Sequence, residues 1–69
     1  MIIRFRKPGR DGFTRDAEMP AAPREGDEIV FSREVMYLHT GVADEGQFQI
    51  NVVQWTPDDP DFSAYVVLR

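Results

Sequence analysis

The chain has 69 residues, 42% of them hydrophobic, a formal net charge of -4 and no cysteine. That describes one small domain, too apolar for a disordered chain and without a disulfide framework or a thiolate metal site. The N-terminus "MIIRFRKPGR" lacks the apolar core of a secretory signal, and no stretch reaches the ~20 apolar residues of a membrane-spanning helix. A cytoplasmic protein is the expectation. The charge is unevenly spread. Residues 1–15 hold Arg4, Arg6, Lys7, Arg10 and Arg15 against one acid, Asp11, while the rest of the chain holds three basic side chains and eleven acids.

Residues 2–7, "IIRFRK", alternate, with Ile3 and Phe5 on one face and Arg4 and Arg6 on the other. "PGRDG" (8–12) is dense in turn formers. Residues 13–19, "FTRDAEM", alternate again, with Phe13, Ala17 and Met19 on one side. The two segments read as a hairpin whose register puts Arg4 opposite Asp16, so that their charges partly cancel across the strands.

"PAAPREGD" (20–27) cannot be a central strand, because Pro20 and Pro23 cannot donate ladder hydrogen bonds. It reads as an extended crossing loop. "EIVFS" (28–32) is a strand, and "EVMYLHTGV" (34–42), rich in β formers and stopped by Gly41, reads as another. "QFQINVVQW" (47–55) is the strongest strand. Phe48, Ile50 and Val52 alternate, then Val53 and Trp55 take the opposite phase, which predicts a β-bulge or a strong bend. "FSAYVVLR" (62–69) is the last strand.

The spacing predicts an all-β domain over 1–69: a small five- to six-stranded antiparallel barrel, with an N-terminal hairpin, a Pro-rich crossing loop and a strand meander. The order of elements, with Gly26, Asp27, Ile29 and Phe31 as a "GD-x-[IV]-x-[FL]" entry into a strand, resembles the small SH3-like barrels that occur as stand-alone proteins in phage and bacterial genomes. The resemblance implies a binding domain whose partner is a peptide, a nucleic acid or another subunit, and the fold alone does not choose among them.

"WTPDDPDF" (55–62) places Asp58, Asp59 and Asp61 beside an aromatic. Counted from Asp58 as an EF-hand loop, the sixth position is Ser63 rather than Gly, and the twelfth lies beyond Arg69. Pro57 and the aspartates instead suit a turn. His39 is the single histidine, with no cysteine to complete a zinc site and no nucleophile motif such as G-x-S-x-G. Phosphate-binding glycine loops are missing too. The expectation is a non-enzyme without metal or cofactor.

Tyr37, Trp55 and Tyr65 are the aromatics suited to a half-exposed position, and with Asp58 and Asp59 they make a candidate partner surface, an aromatic groove rimmed by acids that would suit a basic or Pro-rich peptide. The expected function is binding another protein, as a phage-encoded or accessory factor. One alternative is a nucleic-acid binder through Arg4, Arg6, Lys7, Arg10 and Arg15. Another is a structural subunit of a homo-oligomer, such as a virion component. The competing reading of Trp55 is that it closes one end of the core.

Overall fold

The computed structural model describes residues 1–10 and 12–69, so Asp11 lies outside the described residues. The chain forms β1 (Ile2–Lys7), β2 (Phe13–Glu18), β3 (Glu28–Phe31), α1 (Arg33–Thr40), β4 (Gly46–Trp55) and β5 (Ala64–Leu68). The strands make one curled five-stranded sheet in the order β2-β1-β5-β4-β3, with the short helix against its concave side. The described residues are therefore mostly β, with five strands and one short helix among them.

β1 and β2 pair antiparallel in the register that the alternation predicts, Arg4 opposite Asp16. β4 pairs antiparallel with β3 and with β5. The pairing of β1 with β5 is parallel, and this corrects the expectation of an all-antiparallel sheet. Strand periodicity fixes which face a side chain takes but not the direction of a distant partner. Residues 19–27 carry the chain from the β2 edge of the sheet to the β3 edge, with Met19 and Ala22 packed on the core.

A second correction concerns residues 34–42, expected as a strand. Most of this run is α1, and two local devices fix it. Ser32, extended at φ -63 and ψ 161, accepts a hydrogen bond from the Val35 N–H at 3.3 Å and caps the helix start. Gly41, at φ 77, takes the left-handed conformation and donates its N–H to the Tyr37 carbonyl at 2.9 Å. Val35, Met36 and His39 face the sheet, while Tyr37 and Leu38 face away from it.

The core is one cluster. Ile3 and Phe5 of β1, Phe13 of β2, Phe31 of β3, Met36 of α1, Ile50 of β4, and Ala64, Val66 and Leu68 of β5 are all buried. Its aromatic part lies at the α1 end. Phe31 meets Phe5 and Phe13 edge-on with centroids 5.6 and 5.7 Å apart, and Phe13 meets Phe48 at 5.6 Å. Such pairs add about 0.5–1.5 kcal/mol each beyond the area they bury.

Candidate protein-binding surface

A bulge interrupts β4 as expected, but before Val52 rather than after it, so Val52 does not share the face of Phe48 and Ile50. Ile50 pairs with Leu68, but Val52 pairs with Val67, so Asn51 is the extra residue of a bulge. Residues directly opposite across paired strands share a sheet face. Before the bulge, Ile50 points into the core. After it, Val53 lies opposite Val66 and Trp55 opposite Ala64, both buried partners, so Val53 and Trp55 take the core-side face. Val52 and Gln54 turn to the convex face with Val67 and Tyr65.

Trp55 therefore answers to neither simple alternative. It stands on the core-side face, in the cross-strand row with Ala64 and Ile3, yet it is 61% exposed where those two are fully buried. It continues the core face past the end of the core. An indole in that position retains a large apolar area in contact with water.

The turn after Trp55 is built by hydrogen bonds to its own backbone. The Asp59 N–H reaches the Thr56 carbonyl at 3.1 Å, which places Pro57 and Asp58 at the turn centre. The Asp59 carboxylate accepts the Asp61 N–H at 2.8 Å, and the Thr56 hydroxyl donates to the Phe62 carbonyl at 2.9 Å. Asp58 is exposed at the tip. The three aspartates thus shape a turn, and Asp59 spends an oxygen on it.

Arg4 ties this turn to the convex face. Its Nε donates to Asp16 Oδ1 at 2.8 Å and its second terminal nitrogen to Asp16 Oδ2 at 2.9 Å, while the guanidinium lies 4.2 Å from the Phe62 ring centroid. The hydrogen bond from Arg4 holds the Asp16 carboxyl below the usual carboxylate range, against a smaller opposing effect of burial. The hydrogen bond to Asp16 raises Arg4 in turn, with Asp59 and Asp61 adding to it at longer range. Tyr65 sits next to Phe62 at 6.1 Å between centroids.

These placements separate the residues of the expected groove. Trp55, Asp58 and Asp59 stay together at one end of the sheet. Tyr65 is half-buried on the opposite face from Trp55, in the row with Gln54 and Arg4. Tyr37, 59% exposed, lies on α1 at the other end of the sheet. The basic residues of the nucleic-acid alternative are divided too. Arg4 is held by Asp16 and Phe62, Lys7 donates to the Pro8 carbonyl at 3.1 Å, and Arg10 is exposed beyond β1. Arg6 shares the convex face with Val67, whereas Arg15 lies opposite Phe5 on the core-side face.

His39 stacks on Phe13 at 5.1 Å, and its Nε2 is buried with no hydrogen-bond partner among the described residues. The hollow beside it is lined by Arg10, Gly12, Thr40 and Val42, with no serine among them. Ser32 and Thr56 spend their hydroxyls on a helix cap and a turn.

The sequence reading missed one apolar group, Leu38 and Val42, which with Tyr37 are exposed along α1 and just after it. The spacing of Glu34, Tyr37 and Leu38 at i, i+3 and i+4 is the signal that would have placed them on one helix face. No helix among the described residues is long and apolar enough to cross a membrane. Compared with family models, with curated proteins and with solved structures, the chain finds no match in any of the three.

Proposed function

We propose that this chain is a small non-enzymatic β domain that binds another protein at the end of the sheet where Trp55 lies. The observation that carries the reading is the position of Trp55, on the core-side face yet 61% exposed, beside the acidic turn. Tryptophan is enriched among residues that dominate interface energies, and an exposed one on a rigid strand loses little entropy on contact. The non-enzymatic part rests on the side chains that could have carried chemistry. Ser32, Thr40 and Thr56 donate to or accept from backbone, and His39 is stacked on a phenylalanine.

The same proposal takes the chain as an SH3-like barrel of the stand-alone kind, acting as a phage-encoded or accessory factor in the cytoplasm. The curled five-stranded sheet supports that reading, and α1 and the parallel β1–β5 pair are its departures.

Trp55→Ala tests the proposal. The variant is expected to keep the wild-type far-ultraviolet spectrum and to lose the protein that the wild type retains from a cell lysate. A Asp58→Asn/Asp59→Asn double variant is expected to weaken that capture severalfold. Equal capture by the wild type and Trp55→Ala would overturn the reading.

A further inference from the structure

The second half of β4 is a strand with one partner. β3 covers β4 only from Gly46 to Gln49, and Gly26 and Asp27 then bond Ile50 in both directions at 2.8 Å. Beyond that point the chain leaves the edge. The Asp27 N–H closes a turn on the Arg24 carbonyl at 3.1 Å, and the Asp27 carboxylate accepts the Arg24 N–H at 3.0 Å. Among the described residues, no backbone hydrogen bond reaches residues 51–55 from that side. The open edge is about five residues long, or roughly 17 Å.

The direction of its free groups follows from the ladder. Successive residues of an antiparallel strand direct their N–H and C=O alternately to either side. The Arg69 N–H bonds the Gln49 carbonyl and the Thr56 N–H bonds the Ser63 carbonyl, so Gln49 and Thr56 face the β5 side. Ile50 faces the β3 side. With Asn51 absorbed by the bulge, Val52 and Gln54 face β5, and Val53 and Trp55 present their backbone groups to the open edge. The same two residues put their side chains on the core-side face, where Trp55 is exposed.

We infer that an extended segment of a basic partner protein adds to this edge as a further strand in line with β3, with an apolar side chain against Trp55. This deepens the proposed protein-binding function and rests on it. Strand addition uses the main chain for affinity and alternate side chains for specificity, which suits an edge with two outward peptide units beside one large indole.

The partner's charge follows from the rims. Glu25 and Glu28 flank the edge where β3 ends, and Asp58 and Asp59 flank it beyond Trp55. The nearby cations are fewer. Arg69 is engaged with the Asn51 side chain at 2.9 Å, Arg24 sits in the turn that Asp27 closes, and Arg4, near the 56–62 turn, is held by Asp16 and Phe62. A second copy of this chain laid on the edge would bring the same acidic rims together, and like charges opposed across a new strand pair are unfavourable. A basic segment instead gains steering from a domain with a net charge of -4.

The test is a selection of random twelve-residue peptides displayed against the wild-type domain, at low and at physiological salt. The selected peptides are then resynthesised with N-methyl groups on alternate residues. Trp55 is the single tryptophan, so its fluorescence reports binding directly. The expected peptides are net basic with alternating apolar residues. N-methylation in one phase is expected to weaken binding about tenfold or more, with little effect in the other, because only alternate N–H groups meet the edge. Binders whose affinity ignores the phase of methylation would overturn strand addition while leaving protein binding standing. Selected peptides that are acidic or uncharged would overturn the basic partner. An absence of any selected peptide, combined with lysate capture that depends on Trp55, would also overturn the inference and leave only the broader function. Absence of both would overturn the two together.

Discussion

β4 is one strand with two different halves. From Gly46 to Gln49 it pairs with β3, β5 joins it at Gln49 and Ile50, α1 closes over it, and the aromatic part of the core surrounds it. From Val52 to Trp55 it is paired on one side only, and it ends in an exposed indole. Both halves are made of similar residues: Phe48 and Ile50 in one, Val53 and Trp55 in the other. The difference between them lies in what covers them. At the first half, Met36 and the phenylalanines take the apolar area out of water. At the second, the 24–27 turn removes the chain that could have covered the edge. The bulge at Asn51 is the joint, because it returns Val53 and Trp55 to the core-side face just where the core is ending. Composition alone would call all of β4 a core strand, whereas the covering elements make one half scaffold and the other half surface.

Deleting a side chain in each half is the strongest way to break that comparison. Ile50 is 2% exposed, and Ile50→Ala is expected to destabilise the domain by about 2–5 kcal/mol, the lost transfer energy plus a cavity. Val53 is only partly buried, and Val53→Ala is expected to cost about 1 kcal/mol or less. Chemical denaturation of the two variants measures both. Equal losses would mean that the second half is as much a part of the core as the first.

A smaller effect is expected from adding one carbon where α1 meets the first half. A Cβ on Gly46 would come within 2.5 Å of the Met36 sulfur and 2.8 Å of the Phe48 ring. Gly46→Ala is expected to cost about 1–3 kcal/mol, by pushing α1 away from the sheet or forcing Met36 into another rotamer. Hydrogen exchange should show the α1 amides losing protection while the Val52 and Gln54 amides, which face β5, change little. Uniform loss along β4 would show that the two halves are not separable.

How much of this could be read from the residues depends on the range of the interaction concerned. The β1–β2 register, the 56–59 turn and a phase slip in β4 are short-range features, written in alternation and in turn chemistry, and the structure contains them, with the slip at Asn51 rather than at Val52-Val53. α1 was legible only through its ends. Val35, Tyr37 and Thr40 are good strand residues, and eight residues carry too little helical period to outweigh them, but Ser32 before the run and Gly41 after it are a cap and a stop. The parallel β1–β5 pair was not legible, because it joins residues about 60 positions apart and no local signal records strand direction. For the candidate surface, Trp55, Asp58 and Asp59 are neighbours in sequence and stay neighbours in space. Residue type alone groups Tyr37 and Tyr65 with them, but the helix and the convex face take the two tyrosines elsewhere.

The smallest effect concerns how the second half is held, since polar contacts do there what apolar packing does at the first. The turn beyond Trp55 is fastened to the sheet by Phe62 against Arg4, and Arg4 is oriented by Asp16. The Asp16 carboxyl is held below its ordinary value in the folded protein, so its contribution is present at neutral pH and is lost as pH falls through the lowered folded value. The pair is partly exposed and screened by water, so its contribution is small. Lowering the pH through the acid range below about 4, where an unperturbed aspartate protonates, is therefore expected to release the 56–62 turn before the core yields. The Trp55 fluorescence should change at a higher pH than the circular dichroism of the sheet. Asp16→Asn should show the turn's released signal already at neutral pH, with the sheet still folded. If the two signals fall together in the wild type, the Arg4–Asp16 contact does not set the turn apart. The Trp55 end would then be held by the same core as the α1 end.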